Sequence, residues 1–258
     1  MEVWHMSGAG NDFMVLDARG MKLDLEALSK NLCAHTGADG FMAMDTSETA
    51  DFRLHFYNSD GTRGEMCGNG ARCICKFAVM HGAAGKQMSV ETDAGIIYGE
   101  QLGENQYRVQ LNNPGAADLH CHPEAAYIEL GNPGVPHSVT EYPGLAWSDR
   151  EVLRPVFLRL RDDPVFPKGV NVNLFCRLDG DRVRILTFER GVEDYTLACG
   201  TGSASVAVAL WLQGQLPGGH LTVENQGGTL EVTVEGAGGQ VKALYLEGPA
   251  EVLNVYEL

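Results

Sequence analysis

Two segments of this chain open on Cys-Gly-x-Gly and continue as long apolar stretches. One runs from Cys67-Gly68-Asn69-Gly70 to Gly82, the other from Cys199-Gly200-Thr201-Gly202 to Gly214. Each stops at a glycine 15 residues past its cysteine, and the cysteines stand 132 apart in a chain of 258. Both segments read as helices. A helix that is apolar on nearly every face must be buried on nearly every face, so each is expected inside a cup of strands. The matched spacing predicts an internal duplication: two β-rich domains, each wrapped around one central helix, meeting at the helix N-termini.

The remaining sequence supplies the strands. Ser89 to Thr92, Gly95 to Gln101 and Tyr107 to Leu111 alternate at period two, with turns at Asp93-Ala94-Gly95 and Gly103-Glu104-Asn105. Val172 to Leu178 and Val183 to Glu189 flank Asp179-Gly180-Asp181, and Leu221 to Glu224, Thr229 to Glu235 and Val241 to Leu246 are separated by glycine pairs. Two further helices are expected. Asp24 caps a stretch with Leu25, Leu28 and Leu32 at helical spacing, and Ser148-Asp149-Arg150-Glu151 has capping-box spacing ahead of Val152, Val156 and Leu160. The fold class is therefore α/β, in two pseudo-symmetric domains of mostly antiparallel sheet.

Composition narrows the partners. With 19 Lys+Arg against 34 Asp+Glu the formal charge is −15, which argues against nucleic acid and an anionic membrane face, since both require clustered basic residues. The longest clean apolar run, Val206 to Leu212, is far short of a membrane span, and Met1-Glu2-Val3-Trp4-His5 has no secretory character. Seven cysteines are an odd number for a disulfide framework, so a reduced, cytoplasmic protein is expected. Glycine, 32 residues, exceeds the usual share of roughly 7%; such chains need many turns or backbone that approaches a ligand closely.

A cysteine at a helix N-terminus meets backbone N–H groups and the positive end of the helix dipole, both of which favour thiolate. Glycines after it let a ligand reach the same N–H groups. Two such tips facing one another would hold a carboxylate and offer one sulfur to each side of it. That suits inversion at a carbon next to a carboxylate: a thiolate removes the α-proton from one face while a thiol delivers a proton to the other. Fixed N–H donors stabilise the developing anion, each worth roughly 3–4 kcal/mol by analogy with oxyanion holes. No pyridoxal cofactor is needed, and no cofactor or metal is expected. Cys33, Cys73, Cys75, Cys121 and Cys176 read as inert packing. His120-Cys121-His122 and Cys73-Ile74-Cys75 lack the spacing of structural zinc knuckles. No Cys-x-x-Cys supports a disulfide oxidoreductase, and Cys67-Gly68-Asn69-Gly70 lacks the ending of a phosphate loop.

At these residues the chain resembles the diaminopimelate epimerase family, over nearly its whole length. Gly8-Ala9-Gly10-Asn11-Asp12-Phe13 is similar to that family's N-terminal motif. Tyr57-Asn58-Ser59-Asp60-Gly61 with Glu65-Met66-Cys67-Gly68-Asn69-Gly70-Ala71-Arg72-Cys73 is similar to its first active-site segment, and Glu189-Arg190-Gly191 with Ala198-Cys199-Gly200-Thr201-Gly202 to its second. The resemblance implies cofactor-free epimerisation with Cys67 and Cys199 as the two bases. It implies domains at 1–113 and 114–247, with a returning strand at 248–258 that completes the first, and a homodimer. Carried over by position, Asn11, Asn58, Asn69, Asn171, Glu189 and Arg190 match the substrate pocket, and Gly68, Gly200 and Thr201 match backbone donors to the reacting carboxylate. Arg190 suits a distant carboxylate, because a guanidinium fork pairs with it bidentately.

Two departures bear on the substrate. Nine residues separate Glu189 from Cys199, one more than the family pattern, with the extra residue in Glu193-Asp194-Tyr195. In Gly131-Asn132-Pro133-Gly134-Val135-Pro136-His137 the family's Gly-Asn-Pro-His is best matched by Gly134 to His137. That register keeps His137 to assist a thiol proton but puts Val135 in place of a pocket amide. The expected function is inversion of LL-diaminopimelate to meso-diaminopimelate. Racemisation of another amino acid, histidine for example, is the alternative in the same chemistry, and a non-catalytic amino-acid-binding protein the alternative outside it.

Overall fold

The computed structural model describes residues 1–64 and 67–257. Glu65 and Met66 of the first cysteine segment, and Leu258, lie outside the described residues. The chain divides into two compact units, Met1–Gln110 with Glu247–Leu258, and Leu111–Leu246.

The first unit contains β1 (Glu2–Gly8), β2 (Asn11–Asp17), α1 (Leu25–Thr36), β3 (Gly40–Asp45), β4 (Phe52–Asn58), β5 (Arg63–Gly64), α2 (Gly68–Met80), β6 (Gln87–Thr92), β7 (Gly95–Gln101) and β8 (Gln106–Leu111). β1 and β2 form an antiparallel hairpin, α1 crosses to the parallel strand β3, and β3 turns back into β4. α2 then crosses to β6, which is parallel to β4 and begins the antiparallel run β6–β7–β8.

The second unit contains β9 (Pro114–Asp118), β10 (Ala126–Gly131), β11 (Gly134–Glu141), α3 (Arg150–Arg161), β12 (Asn171–Arg177), β13 (Arg182–Glu189), β14 (Asp194–Tyr195), α4 (Gly200–Leu212), β15 (His220–Asn225), β16 (Gly228–Ala237) and β17 (Gln240–Pro249). It repeats the first, pairing by pairing. β10–β11 is the hairpin, α3 the crossover to parallel β12, β12–β13 the antiparallel turn, and α4 the crossover to parallel β15. One strand per unit is supplied out of turn. β9 follows the last strand of the first repeat yet pairs with β10, whereas β18 (Glu251–Glu257) follows the last strand of the second repeat and pairs with β1, from Glu2 opposite Glu257 to Ser7 opposite Glu251.

Strands at the centre of each unit are covered on both faces, and so read as continuous apolar runs. Phe13 to Leu16, Gly40 to Met44 and Asn171 to Cys176 are buried without a break. On one face of the first unit Met14, Leu16, Phe41 and Ala43 pack with Leu32 and Cys33 of α1. The other face takes α2, which lies against β1, β2, β3 and β7; α4 lies in the same way against β10, β11, β12, β15 and β16. Both central helices end alike. Gly82 (φ 63°) donates to Val79 and Ala83 to Ala78, while Gly214 (φ 71°) donates to Trp211 and Gln215 to Leu210. This is the Schellman stop, in which a left-handed residue lets two N–H groups close on the last carbonyls.

Two expectations need correction. α2 is not apolar all round: Arg72 is fully buried within it and Lys76 nearly so. The start of α3 also differs. A short 3-10 turn, Trp147–Asp149, precedes it, and Asp149 accepts from the Ala146 N–H (2.9 Å), so Ser148 is not the cap. Starting the helix at Arg150 turns Leu153, Phe157 and Leu160 inward and leaves Val152 80% exposed. The bulk of Phe157, in the cluster with Phe166 and Phe188, sets the buried face. At α1 the cap is as read, with Asp24 accepting from the Ala27 N–H at 3.1 Å.

Candidate active site

In the first unit the candidate residues gather around the tip of α2. Cys67 is the N-cap, extended and partly buried. The intrahelical ladder begins with the Ala71 N–H donating to the Cys67 carbonyl (2.7 Å), so the Gly68 N–H precedes it, as at any helix start. Asn69 donates from Nδ2 to Asn11 Oδ1 (2.7 Å), Asn11 donates to Asp39 Oδ2 (2.9 Å), and Arg72 donates to Asn69 Oδ1 (3.1 Å). Asn58 stands at the exposed end of β4, donating to Thr62 Oγ1 (3.0 Å). The helix tip sits tightly on the β1–β2 hairpin: a Cβ on Gly8 would come within 2.7 Å of the Asn69 carbonyl oxygen.

In the second unit Cys199 is the N-cap of α4 and is buried. Its sulfur accepts from the Gly202 N–H (3.3 Å) and lies 3.5 Å from Thr201 Oγ1. The ladder starts at the Ser203 N–H on the Cys199 carbonyl (2.9 Å), leaving the Gly200 and Thr201 N–H groups ahead of it. Glu189, at the end of β13, accepts from Thr196 Oγ1 (2.7 Å). Asn171 Oδ1 accepts from the Arg190 N–H (2.8 Å), and the exposed Arg190 guanidinium donates to the Lys168 carbonyl. Glu193, within the lengthened segment, has a left-handed backbone (φ 59°) and accepts from the Gly191 N–H (2.9 Å).

The expectation that a helix tip makes Cys199 thiolate-prone is overturned. Burial pushes its thiol well above the usual value, and the neighbouring Glu189 carboxylate pushes it further; the contacts from Thr201 and Gly202 work in the other direction and do not win. Desolvation of a small anion outweighs two weak donors to sulfur. His137 lies on β11, opposite Asn171 of β12, fully buried and drawn down to about 3 by burial and by Arg190, so the ring is uncharged at neutral pH. The Asn173 amide nitrogen faces its Nδ1 at 3.1 Å while Asn173 Oδ1 accepts from Thr187 (3.0 Å). The neutral ring therefore carries its proton on Nε2, which has no partner among the described residues. Asn132 is at the exposed tip of the β10–β11 hairpin and Val135 is 41% exposed.

Sequence reading missed four residues here: Asp39, Arg72, Asn173 and Thr196. Asn173 was recoverable, since Asn171 and Asn173 fall on one face of a period-two strand. The other cysteines are placed as packing. Cys73 and Cys75 are fully buried with thiols pushed up to about 12, and burial also raises Cys33. His122 lies 3.5 Å from Asp163.

The tolerance of the second cluster can be measured at Gly202. A Cβ there would lie 2.3 Å from Asn173 Oδ1, which is buried and committed to Thr187. Gly202→Ala is expected to cost about 1–3 kcal/mol in urea unfolding, as overpacking at a rigid site does. A loss within error of zero would show that Asn173 can move aside.

The family model described as diaminopimelate epimerase matches residues 3–116 and 132–253. Relatives of that name include those of Chlorobaculum tepidum, 35% identical over 96% of this chain and 97% of the relative, and Aquifex aeolicus, 36% identical over 100% and 96%. Among solved structures, a putative phenazine biosynthesis PhzC/PhzF protein from Clostridium difficile shares the fold at a TM-score of 0.73 and 12% identity, covering 100% of this chain and 99% of the other. A hydroxyproline epimerase from Agrobacterium vitis does so at 0.70 and 15%, covering 99% and 91%. The repeated sheet-around-helix architecture, the cysteine at the tip of each central helix and the match along both repeats agree: the chain belongs to the diaminopimelate epimerase family.

Proposed function

We propose that this protein is a cofactor-independent isomerase that inverts the α-carbon of LL-diaminopimelate to give meso-diaminopimelate, in lysine and peptidoglycan precursor synthesis. The observation that carries the reading is the duplicated one: each repeat presents a cysteine as the N-cap of its buried central helix. Cys67 and Cys199 are the two acid–base groups. One sulfur, as thiolate, takes the α-hydrogen as a proton and becomes a thiol. The electron pair stays on the α-carbon and spreads into the carboxylate, which the N–H groups of Gly68, Gly200 and Thr201 hold. The other thiol gives its proton to the opposite face and is left as thiolate, so each turnover exchanges the two states.

The surrounding side chains divide the rest of the work. Asn11, Asn58, Asn69 and Asn171 hold the substrate's polar groups. Glu189 accompanies Cys199, favouring its thiol form, and His137 offers one fixed N–H rather than a titrating acid. Arg190 meets the distal carboxylate. The seven free cysteines fit a reducing cytoplasm. The apolar residues exposed on β18 (Leu253, Val255 and Tyr256) fit a homodimer, which sedimentation over a concentration series would test.

An NMR screen of α-proton exchange in D2O, across diaminopimelate stereoisomers and monocarboxylic amino acids, tests the reaction and its substrate together. Exchange with inversion is expected for diaminopimelate, and Arg190→Ala should raise its KM about tenfold or more while sparing any monocarboxylic substrate. Equal losses on both classes would favour the racemase reading, and no exchange on any amino acid would defeat the proposal.

A further inference from the structure

The two repeats differ in the charge placed beside their helix tips. Arg72 of α2 is fully buried, and its guanidinium donates to the Gly68 carbonyl (3.2 Å), Asn69 Oδ1 (3.1 Å) and the Pro249 carbonyl (3.3 Å). Every acceptor is neutral, and among the described residues no carboxylate pairs with it. A buried cation without an anion is costly, and here it lies at the end of the helix where the dipole is already positive. The residue at the same step of α4 is Ala204, five past its cysteine as Arg72 is.

The carboxylate shows the reverse pattern. Glu189 closes β13 as Asn58 closes β4, and Arg53 pairs with Glu91 as Arg184 pairs with Glu224, so the neutral Asn58 occupies in the first repeat the place that Glu189 holds in the second. A buried cation thus stands next to one cysteine and a carboxylate next to the other.

We infer that Arg72 is a positioning residue that polarises the pair, holding the resting Cys67 sulfur as thiolate while Glu189 leaves Cys199 as thiol. The inference rests on the two-cysteine reading above and adds to it what makes the pair unequal: a buried guanidinium at the tip of one central helix, with no counterpart at the other. Arg72 remains charged near neutrality even though burial draws it down to about 10, and its field reaches Cys67. Cys67 is also less buried than Cys199, so its anion loses less hydration.

Among the described residues, the other charges near each tip leave this balance in place. Around α2, Cys73 and Cys75 stay protonated, Lys76 adds a second cation through Asn105 and the Ala250 carbonyl, Asp12 is paired with His5 (2.5 Å), and Asp39 is bound by the Asn11 amide. Glu100 of β7 is paired with Arg108 (3.4 Å). Around α4, Glu129 is paired with Lys168, Glu224 with Arg182 and Arg184, and Glu231 with His220, while His137 is uncharged. Arg190, although exposed, acts on His137, and the charge that acts on the Cys199 sulfur is that of Glu189.

The experiment follows alkylation of each cysteine by iodoacetamide from pH 5 to 10 in the full-length protein, with peptide mass spectrometry to separate Cys67 from Cys199. The wild-type midpoint for Cys67 is expected at least about one pH unit below that for Cys199. Arg72→Met should raise the Cys67 midpoint by about one unit or more, roughly tenfold slower alkylation at pH 7, and Arg72→Lys should restore it; Glu189→Gln should lower the Cys199 midpoint and leave Cys67 alone. An unmoved Cys67 midpoint in a folded Arg72→Met protein would reduce Arg72 to a structural residue and overturn the inference. Should Arg72→Met fail to fold by circular dichroism, the wild-type order and the Glu189→Gln shift decide: a Cys199 midpoint at or below that of Cys67, or one that Glu189→Gln does not move, overturns it. No turnover is read, so this result and the exchange screen succeed or fail separately.

Discussion

Cys67→Ser and Cys199→Ser are each expected to lose inversion of diaminopimelate by about 10³-fold or more, within the range that one positioned acid or base contributes. A serine hydroxyl fills nearly the same space at the N-cap, so far-UV circular dichroism should be unchanged. The two losses should differ in kind. Inversion requires both sulfurs, but a single remaining thiolate can still remove a proton and return deuterium to the same face. Each variant should therefore retain slow exchange of one stereoisomer without producing the other, read by deuterium NMR and chiral chromatography. A serine variant that inverts at the wild-type rate would remove its cysteine from the mechanism.

The second large effect is on stability in acid. His137 in the folded protein is held at about 3, while in the unfolded chain it titrates near its ordinary value of about 6.5. Above pH 6.5 both states carry it neutral and it contributes no pH dependence. Between 6.5 and about 3 the unfolded chain binds a proton that the folded one refuses, so stability falls with falling pH at up to about 1.4 kcal/mol per unit. Below that range both states are protonated and the loss levels off. Urea unfolding at pH 7, 6, 5 and 4 should show His137→Gln with a distinctly shallower decline than wild type. Carboxylates titrate in both proteins and cancel in the comparison; parallel declines would mean that His137 accepts a proton without unfolding.

How much of this was legible in the sequence depended on whether neighbours along the chain carried the signal. The central helices were, because Cys67 to Gly82 and Cys199 to Gly214 hold their start, burial and stop in consecutive residues. The meander from Gln87 to Leu111 was legible for the same reason. The face of α3 was not, since Val152 and Leu153 are equally apolar and only the packing of Phe157 against Phe188 selects between them. The charge of the helix tips was half visible. Arg72 stands in plain sight five residues after Cys67, but that its guanidinium turns inward to meet the Pro249 carbonyl depends on a segment 177 residues away. The state of Cys199 was misread because a helix dipole can be inferred from sequence, whereas the water excluded by a folded interior cannot.

The out-of-turn strand has a consequence for how the polypeptide is made. A ribosome delivers β1 before the second unit and β18 after it. Until that strand emerges, the nascent first unit has an open edge along β1, and Arg72 and Lys76 lack the carbonyls of Pro249 and Ala250 that receive them. Co-translational folding of the first unit therefore stops short of completion, with two cations waiting at its centre, and synthesis of β18 closes it.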